Sequence, residues 1–376
     1  MNYTAIIQGT RAYLCLDCGK CTGSCPLARV DPDFSPRRIV ERVVFGEGES
    51  VISDPRLWSC MTCGLCSERC PSNVDFTRFI VDMRAEAYRS EKRGTYAHDG
   101  VLQEIMRVQT TNVHQQRTGW ITDDLQVSEQ SEYLYFVGCL PFFDVVFQDL
   151  DVQALDIARN AIRLMNRIGI TPIVSNDERC CGADLLLAGD VEGFRRLAEL
   201  NVGAIRASGA TKIVFTCAEC YNAFASDYQS VVGSLPFEMM HLTELLAPHL
   251  EAGEVALEAV PGPVTYHDPC RLGRYLGIYD PPRTVIQAVP ESALVEMEDN
   301  RERAMCCGST AWVNCSACAK QIQHQKLNQA RQTGASVMLT TCPKCQIHLS
   351  CAARDQDPAQ AIEVEDLISW VGRALD

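Results

Sequence analysis

The 376-residue sequence predicts an α/β protein. A helix-rich, cysteine-laden N-terminal module precedes two copies of one α/β unit with a parallel-type sheet. Three observations carry this reading. From Tyr133 onward, short apolar runs alternate with helical patterns. The alternation occurs twice, and each copy holds five cysteines in the same rhythm. Before Tyr133, two four-cysteine runs are separated by helical patterns instead of strands.

Composition narrows the function classes. The apolar and charged fractions, 47% and 22%, are those of an ordinary globular chain. A formal net charge of −14 argues against nucleic acid or an anionic membrane as the main partner. No apolar run reaches the length of a membrane-spanning helix, so no direct membrane insertion is expected. The start, Met1-Asn2-Tyr3-Thr4-Ala5, lacks the basic and apolar regions of a secretory signal. A cytoplasmic protein is expected, with a membrane contact made only through a partner. Cysteine is the outlier, at 21 residues. The odd count and the missing export signal speak against a disulfide framework and leave zinc or iron–sulfur clusters.

Residues 1–93 are read as the first domain. It contains Cys15-x-x-Cys18-x-x-Cys21-x-x-x-Cys25-Pro26 and Cys60-x-x-Cys63-x-x-Cys66-x-x-x-Cys70-Pro71. This is the run of bacterial two-cluster ferredoxins, in which the fourth cysteine serves the other cluster. Cys15, Cys18, Cys21 and Cys70 are therefore assigned to one [4Fe–4S] cubane, and Cys60, Cys63, Cys66 and Cys25 to a second. Structural zinc prefers two Cys-x-x-Cys pairs and a spacer, so it fits less well. Gly19, Gly23 and Gly64 are expected to let backbone approach the clusters. The 34 residues between the runs include a helix from Pro36 to Gly46, with Pro near its start and Gly at its end. A second helix, Asp75–Arg93, places Phe76, Phe79, Ile80, Met83 and Ala87 on one face.

Residues 94–132 hold a helical pattern near Val101–Val108 and then a linker-like polar stretch, in which Trp120 could anchor to a neighbour. Residues 133–252 form the first α/β unit. Its strand from Tyr133 ends on Cys139. A helix (Asp156–Ile168), a short strand (Thr171–Val174) and the Cys180-Cys181-Gly182 loop follow. Asp190 caps a helix running to Ser208, Lys212–Cys217 is a strand, and Glu238–Leu250 closes the unit. Residues 263–376 repeat the order. They contain the Val264–Cys270 strand, a Pro282–Val289 helix, a Leu294–Glu296 strand, Cys306-Cys307-Gly308, a Lys320–Thr333 helix, the Ser336–Cys342 strand and a closing Glu365–Ser369. The offsets agree: 270−139 is 131, 307−181 is 126 and 342−217 is 125. The cysteines fall at strand C-termini, where open α/β sheets place ligand sites.

Each copy reads Cys, then 40 or 35 residues, Cys-Cys, then 35 or 34 residues, Cys-x-x-Cys. Zinc or a cubane takes four thiolates, so the residues alone indicate a metal–sulfur site with a ligand to spare. The pattern resembles the cysteine-rich CCG domain of heterodisulfide reductases. The whole chain resembles that enzyme's small ferredoxin subunit fused to its catalytic subunit, over about nine-tenths of its length, judged by where the motifs fall.

The resemblance implies two noncubane [4Fe–4S] clusters. One would be held by Cys139, Cys180, Cys181, Cys217 and Cys220, the other by Cys270, Cys306, Cys307, Cys342 and Cys345. Many electron-carrying relatives keep only one intact motif, whereas both are complete here. The implied activity is reduction of a small disulfide between the two sites, each giving one electron and binding one product sulfur, with Cys181 and Cys307 central. His267 and Asp268 are expected on the proton path, against the plainer alternative of a packed strand end. Arg179, Arg271 and Lys344 are expected to bind an anionic substrate or tune cluster potential. Cys315-Ser316-Ala317-Cys318 and Cys351 are left over, and buried free thiols are the favoured reading over a redox dithiol. No Gly-rich dinucleotide fingerprint opens a βαβ unit, so electrons must come from a separate flavin, iron–sulfur or cytochrome subunit in a hetero-oligomer. The alternative is an electron-transfer subunit without bond chemistry, linking a flavin, quinone or cytochrome partner to another oxidoreductase.

Overall fold

The computed structural model describes residues 2–313, 315–357 and 361–375. The endpoints Met1 and Asp376 of the outer domains lie outside the described residues. The chain divides into two compact units. One comprises Met1–Val108, Gly182–Phe194 and Met305–Gln325. The other comprises Gln109–Cys181, Arg195–Ala304 and Lys326–Asp376.

The first unit is built on short helices. Pro36–Val44 starts from Ser35, whose hydroxyl accepts from the Arg38 N–H, and Gly46 stops it with φ +93°. Phe76–Arg89 starts from Asp75, whose carboxylate accepts from the Arg78 N–H at 3.1 Å. Its predicted apolar face is the core of the unit, and Phe79, Ile80, Met83 and Ala87 are fully buried. The same helix buries Arg84, which donates to the carbonyls of Leu57, Trp58, Cys60 and Leu187 at 2.6–3.1 Å.

Among the described residues the second unit contains seven strands: β1 (Tyr133–Phe136), β2 (Lys212–Phe215), β3 (Glu238–His241), β4 (Gly262–His267), β5 (Ser292–Leu294), β6 (Val337–Thr340) and β7 (Glu363–Asp366). They form two all-parallel sheets, ordered β1-β2-β3 and β5-β4-β6-β7. The central strands are buried on both faces, which is why they read as continuous apolar runs. Corresponding atoms repeat too. The Tyr135 hydroxyl meets Thr216 at 3.0 Å, and Tyr266, 131 residues on, meets Thr341 at 2.8 Å.

Three expectations change. The Thr171–Val174 strand shrinks to a single bridge from Ile173 to Leu134, because Pro172 has no N–H for a ladder. The linker-like stretch is built into the second unit, where Arg117, Trp120 and Leu125 are buried. Cys315 is exposed and Cys318 and Cys351 half-buried, so these thiols do not fill the core; the first two sit where the Ala317–Gln332 helix begins.

β3 ends on His241, which is fully buried and caps the Leu242–Glu251 helix. Its Nδ1 accepts from the Thr243 N–H at 3.2 Å, so the ring is held neutral. Burial pulls its pKa from 6.5 to about 4, against the nearby carbonyls of Thr216 and Thr341. A depressed folded-state value means that this contribution is intact above 6.5 and is lost as pH falls towards 4. The difference amounts to roughly 3 kcal/mol. His241→Asn keeps a capping acceptor and removes the titration. Denaturant unfolding should therefore show a smaller drop in stability between pH 7 and pH 5 than the parent shows. Equal drops would remove His241 from the account.

Candidate metal centres

In the first unit the two cysteine runs have the same local build. Gly19 (φ +75°) and Gly64 (φ +81°) turn the chain into the short helices Lys20–Ser24 and Leu65–Glu68, which carry Cys21 and Cys66. Such positive φ values favour glycine. Gly23 differs from expectation, lying inside a helix with ordinary geometry. Cys25 is extended and leads into Pro26–Val30, so its side chain leaves the run that carries it.

The fourth cysteines cross over. Cys15, Cys18, Cys21 and Cys70 line one small hollow of about 30 Å³, together with Cys66. Burial pushes the Cys25 thiol up to about 12, and the next cause is its neighbour Cys63, followed later by Cys60. Burial also pushes Cys66 well up, then Cys60, Cys63 and Cys25. Backbone N–H groups of Thr62 and Val74 donate to the sulfurs of Cys60 and Cys70 at 3.4 and 3.3 Å. Cys15 and Cys18 are exposed, whereas Cys60, Cys63 and Cys66 are buried.

The same unit holds the second doublet, Cys306 and Cys307, both buried. Gly308 (φ +83°) turns their loop so tightly that a Cβ would lie 2.8 Å from Gln323 Cγ. Three residues after Cys307, Thr310 meets Thr62 through their hydroxyls at 3.2 Å. The doublet's loop thus touches the loop of Cys60 and Cys63.

In the second unit β1, β2, β4 and β6 run out onto Cys139, Cys217, Cys270 and Cys342. The first copy brings all five cysteines together. Cys139 Sγ lies 3.2 Å from Cys180 Sγ. The Cys181 thiol is pushed well up by its hydrogen bonding with Cys180 and by burial, although Cys220 pulls it down. Cys220 is pushed well up beside Cys181 and Cys217. Cys217 is held well below the usual thiol range because Cys220 and Cys342 donate to it. Cys342, in turn, rises to about 12 through its bond to Cys217. The two Cys-x-x-Cys segments therefore meet. Among the described residues no cysteine forms a disulfide.

A polar frame holds the first set. Asn201 Nδ2 donates to the Cys180 carbonyl at 3.0 Å, the Tyr228 hydroxyl donates to the Cys181 carbonyl at 3.0 Å, and the Cys180 N–H reaches Gln109 at 2.9 Å. Glu178 accepts from the Val137 and Gly138 N–H groups at 2.9 and 2.8 Å and pairs with buried Arg117 at 2.8 Å. Burial lifts its carboxyl to about 7 against those partners. Gly138 has φ +66°, and a Cβ there would lie 3.1 Å from Cys220 Sγ. Gly138→Ala should cost about 1–2 kcal/mol from backbone strain alone. It should also lower the iron content of purified protein. Full iron and unchanged thermal unfolding would show that the close approach is unimportant.

The second copy has a different frame. Asp268 forms a bidentate pair with Arg283 at 2.8 and 2.9 Å and accepts the Arg301 N–H at 2.8 Å. Arg283 also reaches Glu296 at 2.6 Å. His267 is buried at the end of β4, with a ring nitrogen within 4.8 Å of Cys345 Sγ. Cys270 is half-buried, and Cys342 and Cys345 are buried.

Of the expected cationic residues, Lys344 is ion-paired with Glu219, and Arg271 lies 4.0 Å from the same carboxylate and over the Tyr275 ring. Arg179 is buried, and burial and the nearby Arg117 lower its pKa. Sequence reasoning missed Glu219 and the Arg117–Glu178 and Arg283–Asp268 pairs. Only Glu219 left a signal: it and Lys344 occupy the same place in the two Cys-x-x-Cys copies.

The donor sets fit iron–sulfur clusters. Packing buried thiols together raises Cys66, Cys181, Cys220 and Cys342, though not Cys217, and a cationic metal core would reverse that by binding them as thiolates. Comparison with known proteins agrees in kind. Residues 133–225 and 264–350 match the cysteine-rich domain family termed CCG, and residues 14–75 match the 4Fe-4S dicluster domain. One component of the dihydromethanophenazine:CoB–CoM heterodisulfide reductase of Methanosarcina acetivorans is 34% identical over 267 residues, 69% of this chain and 63% of the relative. The aligned segment thus spans less than two thirds of that relative's length. The EtfAB:quinone oxidoreductase of Syntrophomonas wolfei is 27% identical over 69% of this chain and 38% of its own. Among solved structures, a hypothetical protein from Helicobacter pylori shares the fold, with a TM-score of 0.55 and 10% identity over 90% of this chain and 66% of the other. Among the described residues no helix is long and apolar enough to cross a membrane.

Proposed function

Because the chain belongs to the family of iron–sulfur oxidoreductases with CCG domains, here two behind a 4Fe-4S dicluster domain, we propose that it is the disulfide-reducing subunit of a heterodisulfide-reductase-like complex. The observation that carries this reading is the contact of Cys217 with Cys342, which joins the Cys-x-x-Cys segments of the two copies.

In this reading Cys15, Cys18, Cys21 and Cys70 hold one cubane and Cys60, Cys63, Cys66 and Cys25 the other. Cys139, Cys180, Cys181, Cys217 and Cys220 hold the first noncubane cluster. Cys270, Cys306, Cys307, Cys342 and Cys345 hold the second, by the logic of the repeat. When bound, the clusters supply single electrons and iron for product sulfurs. The protein's own groups then do the following. Exposed Cys15 and Cys18 mark the face that a flavin, iron–sulfur or cytochrome donor approaches. The Thr62–Thr310 contact links the second run to the second doublet's loop. His267, close to Cys345, delivers a proton to a product thiolate. Asp268 has both oxygens engaged by Arg283, so its role is to hold the turn into Cys270. The balanced reaction is RS–SR′ + 2 e⁻ + 2 H⁺ → RSH + R′SH.

The test is anaerobic purification with native partners, followed by addition of candidate disulfides to dithionite-reduced protein. Thiol release, and about 16 iron atoms per chain for four four-iron clusters, are expected. The second reading, an electron-transfer subunit without bond chemistry, is favoured by the similarity to the EtfAB:quinone oxidoreductase. It gains if every disulfide is inert while a partner reduces the clusters normally.

A further inference from the structure

The two Cys-x-x-Cys loops are copies of one motif, yet their third residues carry opposite charges: Glu219 in Cys217-Ala218-Glu219-Cys220 and Lys344 in Cys342-Pro343-Lys344-Cys345. The copies meet, and these two side chains form an ion pair between them, 11% and 8% exposed. A third charge strengthens the difference. Arg271 follows Cys270, interacts with it, and lies 4.0 Å from Glu219, whereas Leu140 follows Cys139 in the first copy. Each copy also holds a buried ion pair, Arg117–Glu178 in the first and Arg283–Asp268 in the second, where Glu296 also lies 2.6 Å from Arg283. Arg179 adjoins Cys180 in the first copy.

We propose that the Glu219–Lys344 pair makes the two copies electrostatically unequal, so that the two electrons of the reaction are taken up in a set order. The proposal rests on the two-cluster reading above. Adding an electron adds negative charge, which a nearby cation favours and a nearby anion opposes, and a low-dielectric interior magnifies both. The second copy, with Lys344 and Arg271, accepts the first electron. The first copy, under Glu219, holds the second at lower potential. The electrons come from the external iron–sulfur, flavin or cytochrome donor, and the disulfide is cleaved after both have arrived. Glu219 and Lys344 are positioning residues in this account, since neither needs to touch the substrate.

The test exchanges the two residues. Holoprotein carrying Glu219→Lys with Lys344→Glu keeps an ion pair at the same place and inverts its sense. Dithionite titration followed by EPR reads the two noncubane midpoints, identified separately through Cys181→Ser and Cys307→Ser. The exchange should raise the first midpoint and lower the second. Each should change by at least a tenfold shift in oxidised-to-reduced ratio at fixed potential, about 59 mV for one electron. If the exchanged protein folds poorly, Glu219→Gln with Lys344→Gln should bring the midpoints closer together. Midpoints that stay put, or that move in the same direction, in protein with full iron would overturn the inference and leave the proposed function standing. Parent protein lacking two noncubane signals would overturn both.

Discussion

Cys181→Ser and Cys307→Ser should each abolish one noncubane EPR signal, leave the two N-terminal cubanes reducible, and lower disulfide reduction at least 100-fold. The magnitude follows from ligand supply. Loss of a group that merely orients a metal ligand typically costs about 10–100-fold, so loss of a ligand is expected to exceed that range. The cubanes survive because none of their proposed ligands lies in either doublet. Cys181 sits among Cys180, Cys217 and Cys220, with its carbonyl held by Tyr228, so Ser can enter without a steric change but is a poor iron ligand. Iron analysis should show about four atoms lost per chain. If both special signals persist in either variant, the five-cysteine assignment fails.

Arg283→Met is expected to be the most damaging change away from the cysteines, at about 3–5 kcal/mol. It strips Asp268 of both guanidinium bonds and leaves a buried carboxylate, 3% exposed, with the Arg301 N–H still donating to it. An uncompensated buried charge is far more costly than a lost surface pair. Asp268 precedes Pro269 and Cys270, so the same change should loosen the second set and lower its iron content before the first. Thermal unfolding and iron analysis of Arg283→Met beside Arg283→Met/Asp268→Asn measure this. Partial rescue in the double variant identifies the stranded charge as the cause, whereas equal losses in both would point to packing instead.

Much of the candidate site was legible in the sequence, because a metal ligand's position is set by covalent spacing along a loop. The runs at Cys15–Cys25 and Cys60–Cys70 carry their own turns, and the left-handed glycines Gly19, Gly64, Gly182 and Gly308 stand where a tight turn must form. The strands were legible for a related reason. Parallel strands covered on both faces must be apolar throughout, and their C-terminal ends must open onto the ligand edge. The duplication needed only the offsets between cysteines. Less local features escaped. A one-bridge contact at Ile173 cannot be told from a strand by composition, and a polar stretch such as 109–132 gives no sign that Arg117 will reach a partner 61 residues away.

The sequence by itself determined the cysteine spacings, the two-fold repetition and the parallel α/β class, since each follows from spacing or periodicity within a few dozen residues. Only the tertiary structure decided that Cys217 meets Cys342 and that Glu219 finds Lys344 125 residues away. Those contacts depend on how the two copies are brought together. No local period encodes that placement, because it is set by the helices and buried ion pairs that pack one copy against the other.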